Sequence, residues 1–195
     1  WNAILADFNR VTQTLAPEFA PAYQQRAAIH AERGDWDKAL ADLDHAVRCA
    51  PSEDPNLLNH RAYTRALANI DLPEALDDIE TALRFVSRRT QQAGVDRPPP
   101  AALVDTLGYV HYRLGNHEQA LTEIERALGL LEEQRSALRE MLVRRKKPVA
   151  PAMKEYDKVE GEMVYHRALV RAALSDEQAA ADFALAKQLG YEAPE

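Results

Sequence analysis

Cysteine, glycine and long apolar runs are scarce in this sequence, and each shortage excludes something. One cysteine, Cys49, rules out an internal disulfide framework and any multi-cysteine metal site, and it fits a reducing, cytoplasmic-type compartment. Seven glycines in 195 residues argue against a loop-rich β fold. They also leave no G-x-G-x-x-G, no Walker-type phosphate loop and no G-x-S-x-G elbow. No apolar run approaches the roughly 18 residues of a membrane span. Basic residues are outnumbered, 24 to 31, for a net charge of −7. An acidic chain repels nucleic acid and anionic lipid as a whole, although a local basic patch escapes that argument.

What is present is helix-forming composition, rich in Ala, Leu, Glu and Arg, and a repeat. The opening "WNAILADF" returns from Trp36 as "WDKALADL". Stripes of small and apolar residues at steps of four and three recur at Ile4-Phe8-Val11, Ala39-Leu43-Ala46, Ala75-Ile79-Ala82, Ala120-Ile124-Ala127 and Ala179-Phe183-Ala186. That spacing keeps one face of a helix, and its small residues admit a close neighbour. A helix-start signal precedes most stripes. Asp71 with Glu74, Asn116 with Gln119 and Ser175 with Gln178 have capping-box spacing, and Asp35 fits a simple N-cap. Gly34 and Gly115 mark turns that close a preceding helix.

The preceding helix repeats too, as "YQQRAAIH" from Tyr23, "LNHRAYTR" from Leu58, "VDTLGYVH" from Val104 and "VYHRALVR" from Val164. Each places a small residue at one point: Ala27, Ala62, Gly108 or Ala168. The unit is helix, turn, helix.

These motifs resemble the tetratricopeptide repeat (TPR) family, whose pattern W-x2-L-G-x2-Y, A-x3-F and closing P runs over about 34 residues. "LGYVHYRLGNHEQAL" from Leu107 and "RGDWDKALADLDHAVRCAP" from Arg33, with Pro51 as its closing proline, carry the likeness. His30, Arg65, His111 and Arg171 stand where the family usually has tyrosine, a departure expected to loosen local packing. The resemblance implies an all-α fold, a superhelical array of antiparallel helix pairs forming a single TPR-like domain over 1–195. Residues 1–17 read as a lone second helix closed by Pro17, as if cut from a longer array. Repeats follow at 20–53, 55–87, 101–130 and 161–190.

Two stretches break the spacing. "SRRTQQAGVDRPPP", 87–100, reads as an exposed loop, because three prolines and a glycine cannot continue a helix. The second excess stays helical in composition. Residues 131–160 read as an overlong helical hairpin in which Leu131, Leu138 and Leu142 face Met153, Tyr156 and Val159. Arg135 interrupts the stripe, and the tip is the basic run Arg144–Lys147.

Chemistry-bearing constellations are few. The six histidines include no H-E-x-x-H and no i, i+4 pair, so no metal and no cofactor is expected. His60 and His166 fall at equivalent repeat positions, which points to packing or surface. Acid pairs such as Asp77-Asp78 and Glu132-Glu133 read as solvated faces. Catalysis is not expected. In the family, first helices line a concave groove that takes a peptide or an extended partner segment. By register, the groove candidates here are Gln24, Asn59, Tyr63, Asp105, Tyr109, Tyr112, Arg113, Tyr165 and Leu169. Tyrosine suits such a wall, combining contact area with a hydrogen-bonding tip. The lysines of the branch that grips terminal carboxylates are absent; Gln24, Ala28 and Ala102 stand in their places. The expected role is a non-catalytic protein-protein interaction module of a larger protein. Its partner would be a protein or peptide, without nucleic acid or membrane contact. The alternatives are a self-association module forming a homo-oligomer, and a regulatory or substrate-selecting domain of a larger enzyme.

Overall fold

A computed structural model describes residues 1–16, 18–50, 53–95 and 97–192. The closing prolines Pro17 and Pro51 lie outside the described residues. Every regular element among those described is helical. The chain forms two compact units, Trp1–Val95 and Asp96–Glu195.

The first unit holds α1 (Asn2–Arg10), continued by a π-helical segment Val11–Leu15, then α2 (Ala20–Glu32), α3 (Trp36–Cys49), α4 (Pro55–Ala68) and α5 (Leu72–Gln92). The second holds α6 (Ala101–Arg113), α7 (His117–Arg144), α8 (Ala150–Ala173) and α9 (Ala179–Gln188). Helices pair as α2 with α3, α4 with α5, α6 with α7 and α8 with α9. These boundaries follow the sequence pattern with one exception. Ser87–Gln92, expected in the loop, extend α5, which stops only before Gly94 at φ 64°.

The small-residue stripes are buried because the paired helices cross over them. Ala39, Leu43, Ala46, Ala75, Ile79, Ala82, Ala120, Ile124 and Ala127 are all fully buried, as are Ala27, Ala62 and Ala168 on the first helices. A Cβ on Gly108 would sit 2.6 Å from Ile124 Cγ1 and 3.1 Å from the Ile124 amide. Only glycine lets α6 approach α7 so closely. The stripe fails at the first copy and holds in part at the last. Ile4 is exposed and α1 buries none of its residues. In α9 the small residues Ala179 and Ala186 are buried, whereas Phe183 is exposed and its neighbour Asp182 is buried in its place.

One turn is made four times. Gly34, Asn69, Gly115 and Ser175, each eight residues after the position preceding the small residue, adopt positive φ of 72°, 58°, 83° and 58°. The next amide then reaches back: Asp35 to His30, Ile70 to Arg65, Asn116 to His111 and Asp176 to Arg171, at 2.9–3.0 Å. This is the left-handed helix stop that satisfies carbonyls orphaned at the helix end. The capping boxes do not form. The Asp35, Asp71 and Asn116 side chains make no cap bond, and Ser175 is the turn residue itself. The Asp176 carboxylate accepts from the Gln178 amide at 2.9 Å instead, and Asp54 caps α4 by accepting from Asn56 at 2.8 Å.

Three of the four pairs are joined by an ion pair at one register. Arg26 Nε donates to Asp42 at 2.8 Å, Arg61 Nε to Asp78 at 2.8 Å and Arg167 Nε to Asp182 at 2.8 Å, each with a second guanidinium bond to the other carboxylate oxygen. The aspartates are buried, so Asp78 is no solvated-face residue. The planar fork of arginine suits this two-point grip. His30, Arg65, His111 and Arg171, one turn further on, do not loosen the packing. Arg65 and Arg171 donate to the same Asp78 and Asp182, His111 is buried, and His30 lies 3.4 Å from Asp35. The grip extends to the preceding second helix, where Arg61 donates to Asp44 at 2.8 Å and Arg171 to Glu125 at 3.3 Å. At α6–α7 the register positions hold Leu107 and Glu123 instead, and the contact is the Gly108–Ile124 crossing.

The long hairpin forms between α7 and α8. Arg135 does not interrupt it: its guanidinium donates to Asp157 at 2.7 Å and Glu160 at 2.9 Å on α8. Leu131 is buried, and Leu138, Leu142, Met153 and Tyr156 are half-buried. Val159, expected in the same seam, is exposed.

Candidate partner-binding faces

In the first unit, α2 and α4 carry Gln24, Asn59 and Tyr63, all half-buried. Asn59 Oδ1 is shielded from solvent and has no hydrogen-bond partner among the described residues. A cavity of about 460 Å³ opens elsewhere in the unit, lined by Val47, Leu57, Leu58, Arg61, Asp77 and Thr81 among others. None of the three expected residues borders it.

In the second unit, α6 and α8 bring most of the expected set into one cluster, and the residue at its centre is His166. Its Nδ1 lies 2.9 Å from Asp105 Oδ2, and both side chains are buried. Burial opposes the imidazolium, but the Asp105 charge and hydrogen bond outweigh it and hold the His166 pKa above its ordinary value, with a further push from Glu162. Tyr109 stacks on His166 with centroids 4.4 Å apart, and its phenol pKa is raised by burial. The Arg113 guanidinium donates to Tyr109 Oη at 3.2 Å and lies 5.9 Å from the ring centroid. Tyr112 sits 5.9 Å from Tyr109.

Tyr109 and Asp105 are therefore packing residues, 5% and 6% exposed. They lie buried behind Tyr112, Arg113, Tyr165 and Leu169, which remain half-buried. Tyr165 opens onto a second feature. Its ring meets Phe183 edge-on at 5.7 Å and Tyr191 at 5.0 Å. These three border a cleft of about 260 Å³ with Ala186, Lys187 and Glu192. Burial and the neighbouring Glu162 raise the Tyr191 pKa well above the usual tyrosine value.

Sequence reasoning missed His166, Phe183 and Tyr191 as members of this cluster. A signal existed for the first, because His166 shares a register with His60, whose pKa is lowered by burial. Cys49 is a partly buried packing residue beside Ala20, Tyr23, Ala46 and Leu57. Among the described residues no group of three or more His, Cys, Asp or Glu is arranged to hold a metal ion. No helix among them is long and apolar enough to cross a membrane.

No family model matches the sequence, and no curated protein matches it. Solved structures do. A tetratricopeptide repeat protein from Parabacteroides merdae ATCC 43184 aligns over 96% of this chain and 72% of its own, at 18% identity and a TM-score of 0.54. The fold is TPR-like. YrrB, described as a TPR protein with an unusual peptide-binding site, aligns over 94% of this chain and 92% of its own, at 20% identity and a TM-score of 0.47. In TPR-like terms α2, α4, α6 and α8 are the first helices of their pairs, so every expected residue lies on a first helix.

Proposed function

We propose that this chain is a non-catalytic protein-interaction module that takes a peptide or an extended partner segment on its first-helix faces. The observation that carries the reading is the contrast between the two kinds of helix. Second helices turn charge outward, as at Asp37, Lys38, Glu74 and Asp77, all exposed. First helices keep Gln24, Asn59, Tyr63, Tyr112, Arg113, Tyr165 and Leu169 half-buried. Half-buried tyrosines lose little conformational freedom when a partner covers them. Arg113 offers a cation to a partner's carboxylates. The TPR-like fold supports this reading.

A peptide array probed with the purified chain tests it. Tyr112→Ala, Tyr165→Ala and Tyr63→Ala should each weaken the best-bound peptides by about 2 kcal/mol, as interface anchors do, at a temperature where circular dichroism shows each variant folded. Peptide capture that survives all three substitutions would move the site off the first helices.

A further inference from the structure

The basic end of the α7–α8 hairpin is not used by the interaction face, and its surroundings are specific. Helix α7 runs 28 residues against 13 for α6. At about 1.5 Å per residue it outreaches its partner by roughly 20 Å. Over 139–148 every residue except Leu142 is exposed. The run Arg144-Arg145-Lys146-Lys147 closes the helix, with Lys146 in the left-handed region at φ 52° and the Lys147 amide bonded back to Leu142.

The acids that could neutralise this end are already matched. Glu140 pairs with Arg144 at 3.5 Å, Glu155 with Lys158 at 3.5 Å, and Asp157 and Glu160 with Arg135. The side chains of Arg145, Lys146 and Lys147 have no ion pair or hydrogen bond among the described residues. Beside them, Met141 and Val143 are exposed, Val143 at 61%. The rest of the chain is acidic, but a Debye length of about 8 Å screens charge lying farther down the hairpin.

We propose that this hairpin end docks on an anionic phospholipid surface, with Val143 and Met141 entering the headgroup layer and Arg145, Lys146 and Lys147 meeting lipid phosphates and carboxylates. Three features select that occupant. The end stands exposed along 139–148 on all residues but Leu142, so it fits an extended surface better than an acidic peptide that needs a lined groove. It has no exposed aromatic for stacking, which single-stranded nucleic acid uses. Its exposed apolar side chains gain from a lipid headgroup layer and gain nothing from a duplex phosphate backbone. The contact is peripheral and requires no spanning segment.

Co-sedimentation of the full chain with phosphatidylcholine vesicles, with and without phosphatidylserine, tests this. Binding should require phosphatidylserine and fall with salt. A charge near an anionic membrane surface changes partitioning about fivefold. Arg145→Gln, Lys146→Gln and Lys147→Gln together should therefore lower it on the order of a hundredfold. Val143→Ser should lower it about tenfold, the loss expected for one valine's contact. All four positions are exposed, so melting temperature should hold. The proposal fails if phosphatidylserine makes no difference. It also fails if Val143→Ser has no effect while the chain retains duplex RNA as well as vesicles, which would mark a general polyanion patch. A fall in melting temperature with vesicle binding unchanged would show the cations to serve only the helix end, and would overturn it too.

Discussion

The α4–α5 and α6–α7 pairs have the same architecture and are held by opposite chemistries. In α4–α5 the joint is ionic, with Arg61 and Arg65 converging on buried Asp78 and Asp44 adding a contact from α3. In α6–α7 the joint is steric, with Gly108 against Ile124 and Leu107 standing where the others have arginine. A repeat therefore specifies the path of its helices and leaves the bonding to each copy. An ionic joint fixes alignment through direction, and a steric one fixes it through distance.

Breaking the ionic joint should cost most. Asp78→Ala leaves Arg61 and Arg65 half-buried beside a lost partner. Removing one member of a buried pair costs about 3–5 kcal/mol, so urea unfolding should register a loss of that order. Replacing both members of a pair sharpens the comparison: Arg26→Met with Asp42→Leu should destabilise far less than Asp42→Ala alone. Breaking the steric joint should cost less. Gly108→Ala places a methyl against Ile124 and the α7 backbone, an overpacking worth about 1–3 kcal/mol by the same measurement.

Titration is gentler still, since it removes a charge and leaves the ring in place. The folded pKa of His166 is raised above its ordinary 6.5, so the folded state holds the proton more tightly than the unfolded one. Its contribution is complete below the unfolded value near 6.5 and is lost as pH rises through the raised folded value. Melting temperature should fall across that window, and Asp105→Asn, which removes the main cause of the shift, should flatten the fall. The smallest effect is expected at the shared turn. Ser175 holds a left-handed conformation that costs a non-glycine residue about 1–2 kcal/mol. Ser175→Gly should raise stability by about 1 kcal/mol or less, because glycine's own unfolded-state entropy offsets part of the gain.

The helix pattern was legible because periodicity reports which face is covered, and the small residues named the crossings before any contact was known. The end of α5 was not, since a repeat-length expectation placed its stop near Ser87, whereas no breaker occurs before Gly94. The π-helical Val11–Leu15 is invisible to the four-three stripe, which ends at Val11 where that segment begins. The ionic joints left a trace that periodicity alone does not read: Arg26, Arg61 and Arg167 share a register with Asp42, Asp78 and Asp182 across the turn, and the copy lacking the arginine lacks the aspartate. The burial of Asp105 and Tyr109 depends on His166, some sixty residues away, and no local pattern encodes a contact between two first helices.

Asp44 belongs to α3, yet it bonds Arg61 of the next pair; Glu125 of α7 does the same for Arg171 of α8. A helix pair that opened alone would strip its neighbour of a counter-ion and leave a half-buried guanidinium short of one bond. Neighbouring repeats are thereby coupled in the manner of adjacent spins in a one-dimensional chain, each favouring the folded state of the next. Amide exchange within α2–α3 and α4–α5 should accordingly proceed through shared openings, so that the two pairs behave as a single cooperative folding unit.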